Sequence, residues 1–174
     1  PGGASRVEIR RQREQVTAER PISDGVRFGP VDMGGVVAER LEADGADANR
    51  AIIHLHGGGY VYGSPTTHRT ISTYLASKAN VPVYLVDYRL APEHPYPAAV
   101  EDAVAAYRFL RAEGFDAASI AIAGHPAGRG LTVATPPALR ALGGGPPPAA
   151  AGPSPSPPSA RPPHARPHHA SREP

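Results

Sequence analysis

The chain contains no cysteine and no tryptophan, one methionine and three phenylalanines in 174 residues. Without thiols, disulfide staples, thiolate nucleophiles and cysteine-ligated metal centres are excluded. Lysine is nearly absent: Lys78 stands alone against 17 arginines. No run approaches the ~18–20 apolar residues of a membrane span, so none is expected. The opening Pro1–Ser5 carries no apolar signal core, which makes a cytoplasmic location the default expectation. Acidic residues are missing from one region in particular. Residues 136–174 hold one acid, Glu173, beside 13 of the 22 prolines, no aromatic and two leucines. The body carries 14 basic and 15 acidic residues and the tail 4 and 1, so the net charge of +2 belongs to the tail. A body this close to neutral gives no case for a nucleic-acid partner.

What remains reads as three segments: a helical N-terminal segment over 1–24, an α/β domain over 25–135, and a low-complexity tail over 136–174. Val7 to Arg20 is charged and ends before Pro21, as a surface helix would. Arg27–Met33 and Val36–Leu41 flank Gly34-Gly35, a two-residue hairpin turn. Ala51–Leu55, Val81–Val86 and Ser119–Ala123 are short apolar runs suited to buried strands. Between them, Thr67–Ala79 shows Ile71, Tyr74, Leu75 and Lys78 at helical spacing, and Pro97 can open a helix running to Gly114. Strands alternating with helices predict a mostly parallel sheet with flanking helices. A further helix from Gly130 is expected to stop near Ala134, because Pro136 and Pro137 each cost a helix interior about 3 kcal/mol. Beyond it the Pro/Ala/Arg-rich tail is expected to be disordered, partly polyproline II. Ser119–Ala123 would then lie on an exposed, aggregation-prone edge.

Two motifs follow strands directly. His56-Gly57-Gly58-Gly59-Tyr60 leaves the first buried strand. Consecutive glycines permit positive φ and close backbone approach, so successive N–H groups can converge on a developing oxyanion. A bare glycine triplet also serves as a flexible surface loop; the strand before it and the second motif favour the first reading. That second motif, Gly124-His125-Pro126-Ala127-Gly128, sits between a strand and a helix, the setting of a nucleophile elbow. Its central residue is Pro126, which has no hydroxyl and fixes φ near −65°. Between them, Asp87 to Ala99 is a proline-stiffened loop that Asp87, Arg89 and Glu93 can cross-link by ion pairs, a scaffold rather than a site.

In order and spacing, His56–Tyr60, Gly63-Ser64-Pro65, Asp87–Ala99 and, in part, Gly124–Leu131 resemble the hormone-sensitive-lipase-like branch of the α/β-hydrolase carboxylesterases. The resemblance runs from about Gly25 to Thr135 and implies an incomplete α/β-hydrolase fold. It implies that Gly58, Gly59 and Ala127 N–H groups form an oxyanion hole, that His56 and Gly57 support the loop, and that the substrate is a small acyl ester, with no cofactor. The family elbow reads Gly-Asp-Ser-Ala-Gly-Gly. Here His125 stands for Asp, Pro126 for Ser and Arg129 for the last Gly, each one base change toward C. The family's triad Asp and His lie in motifs unmatched here, and no Asp occurs after Thr135. Base changes followed by a shifted frame in a GC-rich gene would produce this pattern. A DNA read across codons 120–174 with an intact Ser codon and an open frame running on would establish it, and a read identical to this chain would refute it.

No other residues restore the chemistry. His54 and His56 alternate onto one face and could pair on a metal or simply pack; His164, His168 and His169 could bind metal adventitiously; Ser64 would need a base. No metal site is expected. The function expected is that of a carboxylic-ester hydrolase lineage whose chain, as written, is inactive. The alternative is a non-catalytic small-molecule-binding relative of the same fold.

Overall fold

The computed structural model describes residues 4–125, 129–141, 148 and 150–153. Six strands form one mixed sheet. They are β1 (Val26–Asp32), β2 (Val37–Ala43), β3 (Ala51–Leu55), β4 (Val83–Val86), β5 (Ile120–Gly124) and β6 (Ala150–Pro153), ordered β1-β2-β4-β3-β5-β6. The hairpin β1–β2 and the pair β2–β4 are antiparallel, and the other three pairings are parallel. The hairpin turns at Gly34 and Gly35, both at positive φ, with Asp32 Oδ1 accepting the Gly35 N–H at 2.6 Å.

Four helices flank the sheet: α1 (Arg6–Ala18), α2 (Pro65–Ala79), α3 (Ala98–Ala112) and α4 (Arg129–Ala141). Strand alternation divides the core between the two faces. Ile53, Leu55, Tyr84, Val86, Ile120 and Ile122 pack with Tyr107 and Leu110 of α3 and Leu131 and Leu139 of α4. Their strand neighbours Val83 and Leu85, with Leu41, pack with Leu75 and Ala76 of α2 on the other face. Helix α1 is capped by Ser5 and Glu8, which exchange hydrogen bonds, yet buries no residue. Helix α2 starts with Pro65 in its first turn and ends at Asn80, whose φ of 52° is left-handed.

Three expectations are corrected. Helix α4 does not stop near Ala134 but continues through Pro136 and Pro137 to Ala141. Leu131, Thr135 and Leu139 form a buried stripe along it, and the Thr135 hydroxyl donates to the Leu131 carbonyl at 2.7 Å. That tertiary packing outweighs the local cost of the proline pair. Strand β5 is not an open edge, because β6 pairs with it in parallel from Ala121↔Ala150 to Gly124↔Pro153. A proline is tolerated there because β6 is itself an edge strand. Ordered structure therefore extends beyond residue 135, the expected start of the disordered tail. Finally, the ion pairs of the Asp87–Ala99 loop point outward rather than within the loop. Arg89 pairs with Asp102 and Glu101 of α3, and Glu93 pairs with Arg10 of α1.

Candidate active site

The carboxyl ends of the parallel strands β3 and β5 lie side by side, with Leu55 opposite Gly124 and the His125 N–H donating to the Leu55 carbonyl at 3.3 Å. The two motifs that follow these strands therefore meet at one end of the sheet. This is where open α/β sheets bind ligands.

The loop leaving β3 is held peptide by peptide. The Tyr88 hydroxyl donates to the His56 carbonyl at 2.7 Å, and its ring stacks on the His56 imidazole with centroids 4.1 Å apart. Burial pushes the Tyr88 phenol up, so it remains a donor. His56 Nδ1 lies 3.0 Å from the Gly57 carbonyl and donates to it, and the Gly57 N–H donates to His68 Nε2 at 3.0 Å. The Gly58 carbonyl accepts N–H groups from Val61 and Tyr62 at 3.2 and 2.9 Å. Among the described residues, the N–H groups of Gly58 and Gly59 have no partner. Glycine is required at Gly58, where φ is +130° and a Cβ would overlap the Tyr62 carbonyl oxygen, and at Gly63, where a Cβ would lie 2.6 Å from His56 Nδ1. Tyr60 itself is left-handed, with φ +63°.

Beneath the loop lie four imidazoles. His54 and His56 are fully buried, and His68 sits between His56 and His125, its ring centroid 5.5 Å from each. Burial, together with the neighbouring imidazoles of His68, His56 and His125, pushes His54 down to about 3. Burial also pushes His56 down to about 4, opposed by the Gly57 carbonyl, and His68 to about 4, with His125 adding to the effect. All three are neutral at pH 7. His54 Nδ1 is 2.7 Å from the Ser72 hydroxyl, which itself donates to the His68 carbonyl at 2.9 Å. His54 and His56 are thus engaged separately, one with α2 and one with its own loop, rather than with each other. Among the described residues, their Nε2 atoms and Ser64 Oγ are buried without a partner.

Above the loop, a cleft of about 620 Å³ separates it from α1. Ile9, Arg13 and Val16 of α1 line one side, and Gly57, Gly58, His68 and His125 line the other. Arg10 fastens α1 over this cleft. Its Nε donates to the Val61 carbonyl at 2.8 Å and one terminal nitrogen to the Ala91 carbonyl at 2.8 Å, while the guanidinium forks onto Glu93 at 2.9 and 3.1 Å. The Ala91 N–H in turn donates to the Tyr60 carbonyl at 2.8 Å.

Of the residues singled out from the sequence, His56, Gly57, Gly58 and Gly59 come together in this loop. Pro126 and Ala127 lie outside the described residues, as do His164, His168 and His169. Sequence reasoning missed His68 and Arg10. A second histidine twelve positions after His56, on the helix the loop leads into, was the sign that pointed to His68; Arg10 carried none.

Residues 52–170 match the α/β hydrolase fold family. Among characterised relatives, an acetyl-hydrolase from Streptomyces hygroscopicus is 45% identical over 113 residues, covering 65% of this chain and 38% of that protein. An esterase from Acinetobacter venetianus is 40% identical over 114 residues, covering 66% of this chain and 37% of that one. Among solved structures, an esterase of the bacterial hormone-sensitive lipase family superposes with a TM-score of 0.78 at 43% identity, covering 84% of this chain and 50% of that chain. The chain thus spans well under half the length of those curated relatives and about half of that solved structure.

Proposed function

The chain belongs to the hormone-sensitive-lipase-like branch of the α/β-hydrolase esterases, and on that premise we propose that it is the oxyanion-hole half of a carboxylic-ester hydrolase. In such a reaction a serine hydroxyl attacks the acyl carbon, a histidine carries the proton to the leaving alcohol, and an aspartate orients the histidine. The carbonyl oxygen becomes an oxyanion that preorganised N–H donors stabilise. In this chain those donors are Gly58 and Gly59, completed by Ala127. The observation carrying this reading is that the His56, Gly57 and Gly58 carbonyls and the Gly57 N–H are all engaged while these two N–H groups have no partner among the described residues. A small acyl ester would lie in the cleft below α1.

The nucleophile position is occupied by Pro126, so the chain as written does not cleave such an ester. In another serine hydrolase, removing the nucleophile cost roughly 10⁶ in turnover. Hydrolysis of p-nitrophenyl butyrate should therefore not exceed the buffer rate, and a fluorophosphonate probe should not label the chain. Labelling of any serine with concurrent turnover would overturn the inactive reading. The second reading, a non-catalytic small-molecule binder, is favoured by the 620 Å³ cleft. Saturable binding of a short-chain ester without turnover would support it.

A further inference from the structure

Resting on this reading of the glycine loop, we infer that His68 is the positioning residue of the oxyanion loop, acting as a neutral hydrogen-bond acceptor that fixes the Gly57 peptide. A neutral imidazole has one donor and one acceptor nitrogen, and the partners decide which is which. At His68 the partner of Nε2 is a backbone N–H, that of Gly57, so Nε2 must carry the lone pair. Nδ1 then carries the proton and points at the Thr67 hydroxyl oxygen, 2.8 Å away. That hydroxyl donates onward to the Ser64 carbonyl at 2.8 Å and receives the Ser64 N–H at 2.9 Å. Both ring nitrogens are thereby engaged, and the tautomer is set by geometry.

The peptide joining His56 to Gly57 is consequently held from both ends, its N–H by His68 and its carbonyl by the Tyr88 hydroxyl. Those two contacts fix one plane, and only φ and ψ of Gly57 separate it from the next. The Gly57 carbonyl, held by His56, and the Gly58 N–H form that next plane, so the plane braced by His68 is the base from which the first donor of the loop is aimed. His68 can hold this position because it sits on α2, where its carbonyl accepts the Ser72 hydroxyl and Ser72 is joined to His54 of β3. The sheet thus supports the helix, the helix supports the imidazole, and the imidazole supports the loop. His56 is the evident brace from the sequence. His68 is the second, reaching the loop from a different element.

The test uses the full chain with uniform ¹⁵N labelling. Long-range ¹H–¹⁵N spectra at pH 7 should show His68 as the Nδ1–H tautomer, and the Gly57 amide should be protected from exchange. His68→Phe keeps an aromatic ring but removes the acceptor, and Gly57 exchange should rise about tenfold to a hundredfold. His68→Gln restores an acceptor oxygen, and exchange should return to within about threefold of the parent. Butyrate then serves as the probe of the loop's anion-binding role through the amide shifts of Gly58 and Gly59. Its affinity should fall about tenfold in His68→Phe and much less in His68→Gln. The opposite tautomer, or equal Gly57 exchange in the Phe variant and the parent, would overturn the proposal. So would equal behaviour of the Phe and Gln variants with both melting cooperatively. If Gly57 is held by His68 but butyrate moves neither Gly58 nor Gly59, the hydrogen bond stands and the oxyanion reading fails, taking the positioning role with it.

Discussion

Lowering the pH from 8 to 5 should remove about 4 kcal/mol of folding stability through His54 and His56 alone. Both are fully buried, and in each the free Nε2 faces no acceptor among the described residues. Protonating either would place an unpaired N–H and a charge in the core. Both are held well below the ordinary imidazole value, at about 3 and about 4. In the unfolded chain each regains a value near 6.5. The unfolded state therefore binds more protons below pH 6.5, and stability falls as pH falls, with a slope approaching about 1.4 kcal/mol per pH unit per histidine. By pH 5 the unfolded imidazoles are almost fully charged and the folded ones are still neutral. Each then contributes about 2 kcal/mol, a figure set by the unfolded value and insensitive to the folded one. The loss continues to about pH 4 for His56 and about pH 3 for His54. Two neighbours, His68 and His125, are lowered by burial and act in the same direction. Asp87 acts oppositely: burial, then Glu14 and Glu39, raise it to about 6, although solvent reaches it and screens the effect. The measurement is best made in an Asp87→Asn background. Urea unfolding followed by tyrosine fluorescence at pH 8, 7, 6 and 5 should show the midpoint falling by at least about 2 M, the share of His54 and His56, taking a urea slope of about 2 kcal/mol per M. His54→Gln should lower the slope below pH 6 by about 1.4 kcal/mol per unit. A midpoint that stays constant from pH 8 to 5, or a slope unchanged by His54→Gln, would refute the reasoning.

Three further outcomes follow from the same geometry. Arg10→Ala removes donors to the Val61 and Ala91 carbonyls and the fork onto Glu93, and should cost the attachment of α1 about 1–3 kcal/mol. Faster amide exchange and tryptic cleavage confined to residues 6–18 would show it, and exchange unchanged along α1 would count against Arg10 as its fastening. Gly58→Ala should lower stability by about 3 kcal/mol or more, since it combines positive φ with overlap on the Tyr62 carbonyl. Gly59→Ala, at φ +64° with open space around it, should cost only about 1 kcal/mol, and equal melting temperatures for the two variants would contradict the distinction. Pro137→Ala should stabilise the chain by about 2 kcal/mol by restoring an N–H donor on the exposed side of α4; a lower melting temperature would show that the proline pair is not a local cost.

Elements whose determinants are adjacent in the chain are legible in the amino-acid sequence. Ala51–Leu55 forms a strand with the predicted limits because five apolar or buried positions are bounded by Arg50 and the glycine loop. The hairpin turns at Gly34-Gly35 because two successive positive φ values select glycine. The glycine loop is legible as a stretch of positive φ for the same reason. What is not legible depends on distant partners. The proline pair of α4 argues for termination locally, and only the buried Leu131–Thr135–Leu139 stripe reverses it. Ala150–Pro153 has weak strand propensity and becomes a strand because β5 presents an edge. Arg10 acts through acceptors 51 to 83 residues away, which no local spacing records.

The distribution of these contacts separates the support of the glycine loop from the segment that follows β5. The side chains that fix the loop are His56, His68 and Tyr88, and the carbonyl and N–H contacts around them come from residues 57–62 and Ala91. All lie before Gly124. Among the described residues, His125 adds a backbone bond to Leu55, at the strand end rather than in the loop. Substitution at position 126 therefore withdraws no described support from Gly57, Gly58 or Gly59. The same holds for the His125 position, where an imidazole meets His68 edge-on with ring centroids 5.5 Å apart. A carboxylate there would favour a charged His68, and a charged His68 has no lone pair for the Gly57 N–H. A second imidazole has the reverse effect, favouring the neutral form that the loop requires. An imidazole at position 125 is therefore compatible with the brace that His68 supplies to the glycine loop.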